Sequence, residues 1–464
     1  MIRLLTRRVT LRSLSLVLVE TLSIVAAIGV AAYVYLGAGA TVLLSAGGAA
    51  KAALVAVVCQ LCLYYADLYD LRYVSDRREL VKRILNALAS ASFVLALLYY
   101  WFPSLSLGRG VFILAAVLVM TLVIGWRVAF EWLSHSVGPR ERLLLIGTSR
   151  GAVELARELF DRRHELGVEI VGFVDPDPAR VGEPVINPGI IGTIEDIPSI
   201  VRARGVERVV VSLSEARGKL PMDKLLEMKL DGVTFDHLAA VYEEYTGKIA
   251  VENLRPSWLI FSPGFKKTRL LTTAKRAVDI VAAMLGLVLA SPIIALVALA
   301  VRLTSSGPVL YHQRRVGRDG RLFMVHKFRS MRADAEAATG PVWASPDGDP
   351  RVTPIGLWLR RFRFDELPQL WNVLIGDMSL VGPRPERPEF VSDLTKQIPF
   401  YGQRHIVRPG LTGWAQVRYS YGATTEDALQ KLQYDLFYIK NLTLAFDLFI
   451  MLSTVKTVLL RRGA

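Results

Sequence analysis

The stretch RLLTTAKRAVDIVAAMLGLVLASPIIALVALAVRL, residues 269–303, decides how this chain is built. It contains a long apolar run interrupted by Ser291-Pro292. Proline has no backbone N–H and its ring crowds the preceding turn, so it bends or breaks a helix. Two geometries follow. The run crosses a membrane once with a kink, or it enters, turns at Ser291-Pro292 and leaves on the side it came from. Arg269, Lys275 and Arg276 bracket one end and Arg302 the other. If both clusters stay on one face, the segment from about 274 to 302 is re-entrant. A spanning helix would put Arg302 and everything after it on the opposite side. Periodicity alone leaves both readings open.

Working outward toward the N-terminus, four further apolar runs occupy roughly 13–36, 49–68, 84–102 and 110–133. Each is close to the about 20 residues that span a bilayer core as a helix. Arg3, Arg7, Arg8 and Arg12 precede the first, and Arg72, Arg77, Arg78, Lys82 and Arg83 separate the second from the third. The other two loops, GAGATVLLSAGGAAK and FPSLSLGRG, carry one basic residue each. The excess of positive charge on cytoplasmic loops therefore predicts that both ends of this group face the cytoplasm. The opening MIRLLTRRVTLRSLSLVLVE has no small-residue cleavage site and reads as an anchor. Glu20 is ionisable within the first run. Its simpler reading is an inward residue paired with a neighbouring helix, the other a functional site.

The bulk numbers agree with a membrane protein. Hydrophobic residues make up 52% of 464, the net charge is +14, and the mean hydropathy is +0.36. Basic and apolar together fit an anionic membrane surface or phosphate chemistry. No basic array with interleaved aromatics suggests a nucleic-acid partner. Cys59 and Cys62 lie in an apolar run without further Cys or His, which marks small apolar filler and not a zinc site. The length predicts two or three domains.

Near residue 140 the composition changes. RERLLLIGTSRGAVELARELFDRR (140–163) reads as strand, Gly-containing turn and amphipathic helix, and EIVGFVD (169–175) and VERVVVSL (206–213) as later strands. Strands alternating with helices predict a parallel α/β sheet. The turn places Gly147, Ser149 and Ala152 where a dinucleotide fingerprint has Gly, Gly and Gly or Ala, and Asp175 where a ribose-binding acid would stand. The middle glycine is missing. A Rossmann-like domain without a dinucleotide is one reading, and a cofactor-binding one the other.

Beyond residue 304, SSGPVLYHQRRVGRDGRLFMVHKFRSMRADAE (305–336) crowds Arg314, Arg315, Arg318, Lys327, Arg329 and Arg332 into short β-like runs. Such a run is a solvated face, or contacts lipid headgroups or a phosphorylated substrate. Then RFRFDELPQLWNVLIGDMSLVGPRPERP (361–388) sets Asp365 beside Glu366. Adjacent residues on a helix point about 100° apart, so the pair suits a division of labour more than shared chelation. A carboxylate can attack phosphorus once cations neutralise the charge. Arg360, Arg361, Arg363 and Arg384 are the nearby cations, and Pro383 and Pro385 stiffen the segment that carries Arg384. The plainer reading makes Asp365 the cap of a helix beginning near Pro368.

KFRSM (327–331), DELPQLWNVLIGDMSLVGPRP (365–385) and RPGLTGWAQV (408–417), in that order after a Pro-broken apolar helix, resemble the bacterial sugar transferases of exopolysaccharide and O-antigen synthesis. These are polyprenyl-phosphate phosphoglycosyl transferases of the monotopic type. The match covers about 269–464, and the four N-terminal spans with the Rossmann-like middle resemble the large undecaprenyl-phosphate hexose-1-phosphate transferase form. YEEYTGKIAVENLRPSWLIFSPGF and GPRPERPEF resemble the subgroup associated with exosortase-type exopolysaccharide loci.

The resemblance implies a membrane protein of mixed class. It would hold a four-helix transmembrane bundle (1–139), a Rossmann-like α/β domain (140–264) and an α-rich monotopic catalytic domain (265–464) with a re-entrant Pro-broken helix at Ser291 and Pro292. It implies transfer of sugar-1-phosphate from a UDP-sugar to undecaprenyl phosphate with loss of UMP. Asp365 matches the nucleophile and the Mg²⁺ site, and Glu366 the partner acid that helps activate the acceptor. Lys327, Arg329, Arg360, Arg384 and Arg408 match the basic, phosphate-binding positions. The implied setting is the cytoplasmic face of the bacterial inner membrane, in contact with lipid, with no nucleic acid and with a homodimer as one role for residues 1–264. RRFRFDE departs from the family, whose members commonly place small polar residues before the Asp-Glu pair. A nucleotide-sugar oxidoreductase or epimerase using the middle domain, and a non-catalytic scaffold for polysaccharide assembly, are the other classes. In LTLAFDLFIMLSTVKTVLLRR (442–462) only about thirteen residues separate Asp447 from Arg461, short of a span, which predicts an interfacial helix or one packed in the core.

Overall fold

The computed structural model describes residues 11–37, 46–69, 77–137, 141–212, 221–251, 262–332, 335, 349, 351–419, 422 and 424–459. Arg3, Arg7, Arg8 and Arg72, on which the expected orientation rests, lie outside these residues, as do 252–261 and Arg461. The chain divides into two compact units, Met1–Thr246 and Gly247–Ala464.

In the first unit the four apolar runs form helices α1 (Leu11–Leu36), α2 (Ala46–Tyr65), α3 (Arg77–Trp101) and α4 (Arg109–Val137). All four contribute to one apolar cluster that includes Ile28, Cys59, Ile84 and Val123. Their other faces leave large apolar side chains such as Leu22, Phe93 and Ile113 exposed. An apolar side chain turned outward on a long helix fits a lipid solvent better than water. Glu20 is fully buried and pairs with Arg127 of α4 at 2.5 Å, while Tyr69 Oη donates to its second oxygen at 2.5 Å. The inward, paired reading of Glu20 is the one the structure bears out.

The α/β part of this unit is a five-stranded parallel sheet of β1 (Glu141–Ile146), β2 (Val168–Val174), β3 (Ile190–Gly192), β4 (Arg208–Val211) and β5 (Thr234–His237). The strand order is β3-β2-β1-β4-β5, and the longer helices along this part of the chain are α5 (Arg150–Asp161), α6 (Ile197–Arg204), α7 (Met222–Leu230) and α8 (Leu238–Thr246). Leu143 to Ile146 have no exposure, so the central strand reads as a continuous apolar run, as parallel sheets covered on both faces require.

The second unit takes Ile249 and Val251 into its core, with Val381, Trp414, Phe437 and Ile450. Its first long element is α9 (Arg269–Thr304), a helix of 36 residues that contains Pro292. The proline does not end the helix. Pro292 cannot donate to the carbonyl four residues back, that of Val288, and Ser291 Oγ donates to that same carbonyl at 2.7 Å. The Ser-Pro pair thus removes one backbone donor and supplies a side-chain donor in its place. Five helices among the described residues are long and apolar enough to cross a membrane, the fifth being α9.

After α9 come the antiparallel pair β6 (Leu310–Val316) and β7 (Leu322–Phe328), then α10 (Pro354–Arg361) and α11 (Gln369–Ile375). These are followed by β8 (Ser379–Val381), α12 (Pro388–Gln397), β9 (Gly410–Thr412), α13 (Thr425–Lys440) and α14 (Leu444–Leu459). The glycines of the GPRP and RPGLTGW motifs serve backbone packing. A Cβ on Gly410 would lie 2.1 Å from the Gly382 nitrogen, so β8 and β9 can meet here only without side chains. That contact fixes the strand end from which Arg384 projects. The C-terminal helix α14 buries Ile450 and Asp447, the latter bonded to Lys275 and Tyr438, while Leu448 and Val455 face outward.

Candidate active site

Asp365 and Glu366 do not sit in α11. They lie in a single 3-10 turn, Phe364–Glu366, between α10 and α11. The helix cap at α11 is Pro368 and no side chain caps it, so the capping reading of Asp365 fails. The turn is entered through Arg363, whose φ of 58° is left-handed. That conformation costs a non-glycine residue on the order of 1 kcal/mol.

Both acids are 7% exposed, but their environments differ. Glu366 Oε1 accepts from Arg384 Nη2 at 2.7 Å and Lys327 Nζ at 3.1 Å, with Arg363 Nη1 at 3.7 Å. Burial pushes its carboxyl up, but Arg384, Lys327 and Arg363 together overcome burial and hold it well below the usual carboxylate range. Asp365 Oδ1, by contrast, is buried with no hydrogen-bond partner. Burial, then the charge on Glu366, raises Asp365 above the usual range against the pull of Lys327, Arg363 and Arg360. One acid is clamped and ionised; its neighbour is sequestered, with an oxygen to spare. Burial also lowers Lys327, helped by Arg384, so its ammonium is held chiefly by Glu366.

Each cation is placed by identifiable packing. Lys327 projects from β7, which Asn372 of α11 holds at two points: its Oδ1 accepts from His326 N at 3.1 Å and its Nδ2 donates to Met324 O at 2.7 Å. Arg384 sits in a segment pinned by Arg315, whose Nη1 donates to Pro385 O at 3.1 Å, and by Arg404, whose Nη2 donates to Arg384 O at 3.0 Å. Arg404 is in turn bound to buried Asp435 of α13 at 2.8 Å. Arg404 and Asp435 are missing from the sequence reading. An acid in the otherwise apolar run 434–439 was the available signal, because such an acid in a helix needs a buried partner.

The structure brings Lys327, Arg360, Arg384, Asp365 and Glu366 together and places two other expected residues elsewhere. Arg360 is near enough for its charge to bear on Asp365, and its Nε donates to Ser330 Oγ at 3.0 Å. Arg329 is buried and turned toward the end of α9, where Nη2 donates to Ser305 O at 2.8 Å and to Ser305 Oγ at 2.7 Å. Arg408 lies among Arg276, Arg318 and Asp279; burial and then the two arginines lower it. In the first unit Asp175 is occupied by Arg180 at 2.8 Å and Thr148 at 2.9 Å, and Ser149 caps the helix Arg150–Asp161. The acid expected to meet a ribose is therefore already engaged.

The chain matches the model for bacterial sugar transferases over residues 270–461 and that for a CoA-binding domain over 65–226. It is 42% identical over 228 residues to the UDP-N-acetylgalactosamine-undecaprenyl-phosphate N-acetylgalactosaminephosphotransferase of Aeromonas hydrophila, covering 49% of this chain and 53% of that one. It is 35% identical over 343 residues to the UDP-glucose:undecaprenyl-phosphate glucose-1-phosphate transferase of Escherichia coli (strain K12), covering 71% and 70%. The protein of the same name from Xanthomonas campestris pv. campestris is 33% identical over 335 residues, covering 70% and 68%. The match thus spans about half the Aeromonas relative and about two thirds or more of the other two. With its motifs gathered at one buried acid pair and these relatives along most of its length, the chain belongs to the bacterial sugar transferases, the polyprenyl-phosphate phosphoglycosyl transferases.

Proposed function

We propose that this enzyme transfers sugar-1-phosphate from a UDP-sugar to undecaprenyl phosphate, giving undecaprenyl-diphosphate-sugar and UMP, through a covalent phosphosugar on Asp365. The observation that carries the reading is the asymmetry of the acid pair: Glu366 is clamped by Arg384 and Lys327, while Asp365 Oδ1 is buried without a partner. The relatives' names divide between glucose and N-acetylgalactosamine, and what they share is phosphosugar transfer to undecaprenyl phosphate.

In the first step an Asp365 oxygen attacks the phosphorus that bears the sugar. The new O–P bond forms as the bridging P–O bond breaks, and UMP leaves with that electron pair. In the second step an oxygen of the lipid phosphate attacks the same phosphorus and the Asp365 carboxylate leaves. Lys327, Arg384, Arg363 and Arg360 supply positive charge where two anions must approach. A carboxylate held as low as Glu366 is a weak proton acceptor, so its part in both steps is to hold Lys327 and Arg384 around the phosphoryl group.

The residues fit Mg²⁺ at Asp365. The spare buried oxygen is a hard ligand, and burial favours whatever cation neutralises it. Asp365 would be the protein's ligand to the ion, since among the described residues no group of three His, Cys, Asp or Glu could hold a metal by itself. Bound there, Mg²⁺ would neutralise the diphosphate and lower the charge barrier to attack.

The reading places α1 to α4 across the bacterial inner membrane as a bundle and α9 as a re-entrant helix, with the acid pair on the cytoplasmic face and α14 interfacial. Attachment of both ends of α9 to one unit supports this. Arg276 donates to Val373 O at 2.6 Å and Leu374 O at 2.8 Å, while Ser305, just past the other end, receives Arg329. A straight helix of 36 residues would be about 54 Å long, against about 30 Å of hydrocarbon. The parallel sheet of the first unit, read as Rossmann-like, keeps a role in assembly or regulation, including a homodimer.

Asp365→Asn tests the chemistry. Exchange of labelled UMP into UDP-sugar and net product should both fall by roughly a thousandfold or more, because the amide cannot form the intermediate. Survival of the exchange reaction would remove Asp365 as nucleophile. A panel of UDP-sugars with UMP release as readout identifies the sugar.

A further inference from the structure

We infer that Trp358, Phe362 and Phe364 form a track for the first isoprene units of the lipid phosphate acceptor, with Arg363 meeting its phosphate; this rests on the transfer reaction proposed above. The three rings form one continuous stack. Trp358 and Phe362 are 5.7 Å apart at 17°, and Phe362 and Phe364 are 5.8 Å apart at 27°. The stack has a direction. Trp358 is 60% exposed, Phe362 and Phe364 are half-buried, and the residue after Phe364 is the buried Asp365.

The track runs beside the helix that the reading above places in lipid and touches it through its inner ring, Phe364, while Trp358 at the outer end is exposed together with Leu357. Phe364 and Leu359 pack against Val297 and Val301 of α9, and the same half of α9 exposes Leu296, Leu299 and Leu303. At the inner end, Arg363 lies between the second and third rings in sequence, and its charge bears on both acids. Its left-handed backbone turns the chain there in spite of the cost to an arginine. The polarity therefore runs from apolar rings outside to a cation beside the nucleophile inside. A prenyl phosphate has the same polarity: an apolar branched chain ending in an anion. Phospholipid anchoring alone gives no reason for rings to lead inward to the reacting carboxylate.

The test uses the full chain in detergent micelles with three assays: labelled UMP exchange, transfer to undecaprenyl phosphate, and transfer to decyl phosphate, a saturated unbranched probe. Trp358→Ala and Phe362→Ala should each raise the KM for undecaprenyl phosphate about tenfold, the loss expected for one aromatic contact with a hydrocarbon chain. Both should shrink the preference over decyl phosphate by a similar factor and lower the ratio of net transfer to UMP exchange. Arg363→Asn, which tolerates the left-handed backbone, should weaken both acceptors alike. Equal losses of exchange and transfer in the two ring variants would overturn the track, since damage to the acid turn then explains them. An unchanged KM in detergent with weakened flotation on phosphatidylglycerol vesicles would overturn it in favour of a membrane anchor. If the wild type exchanges no UMP the transfer reaction itself fails; if it does and both ring variants keep the wild-type KM, only the track fails.

Discussion

Asp365 and Glu366 show how two neighbouring carboxylates acquire different chemistry. Three cations ionise one, and burial with a spare oxygen sequesters the other. The support behind Arg384 gives a sharper handle than the acids themselves. Burial pushes Asp435 up to about 6, against the pull of Arg404. Its folded value thus exceeds the unfolded one of about 3.9. Stability from this group is then fully present below the unfolded value and lost as pH rises through about 6. Activity should move the other way. Below pH about 6 the protonated acid holds Arg404 less firmly, and Arg404 no longer fixes the Arg384 carbonyl. Turnover is expected to fall on acidification across that value while thermal stability rises. Asp435→Asn should lose roughly tenfold in kcat at pH 7 and flatten both profiles, as a neutral residue in the same place would. A variant that keeps the wild-type acid limb would place that titration elsewhere.

Among the elements, α9 carries the most weight, and here sequence reading was strong on position and weak on detail. Apolar length, Ser291-Pro292 and the flanking cations were all legible, and so was the alternation that builds the parallel sheet. The expected break was not a break in the helix, because Ser291 Oγ returns a donor to the carbonyl that Pro292 orphans. Such compensation depends on a rotamer, which no sequence pattern states. Arg329 and Arg408 show the same limit from the other side. Both stand in motifs, yet which basic residues of a motif reach one carboxylate depends on strand direction and on turns such as Arg363. Asn372 is the converse: a polar residue inside LWNVLI that the structure explains as the tie between α11 and β7. For α9 the prediction concerns shape. On the re-entrant reading, Pro292→Leu restores a donor and should let the helix straighten, so that its two ends no longer share one face. Cysteines placed at the exposed positions Leu270 and Leu303 should both resist an impermeant maleimide added outside spheroplasts of the parent protein. With Pro292→Leu, the cysteine at 303 should become labelled. Outside labelling of that cysteine in the parent would mean that α9 spans the membrane.

At the scale of the whole molecule, the second compact unit starts at Gly247, upstream of residue 265, where the sequence reading begins the catalytic domain. The packing reason is local. Ile249 and Val251 are 1% and 2% exposed within the core of that unit. Ile249 N donates to Gln433 O at 3.1 Å, and Trp414 Nε1 donates to Gly247 O at 3.0 Å. Trp414 belongs to RPGLTGWAQV, so this short segment buttresses a motif that helps shape the site. A fragment cut at 265 would leave the buried Trp414 nitrogen without its acceptor and expose the apolar surface that Ile249 and Val251 cover. Each large-to-nothing loss of that kind costs about 2 to 5 kcal/mol, a large part of a domain's stability of about 5 to 15 kcal/mol. Residues 247–464, purified in detergent, should therefore fold and release UMP from UDP-sugar when given undecaprenyl phosphate. Residues 265–464 should melt at a markedly lower temperature and lose activity with it. Equal melting temperatures for the two fragments would show that the segment from Gly247 is not part of the catalytic fold. Inactivity of the longer fragment with an unchanged melting profile would instead assign the first unit a direct part in the reaction.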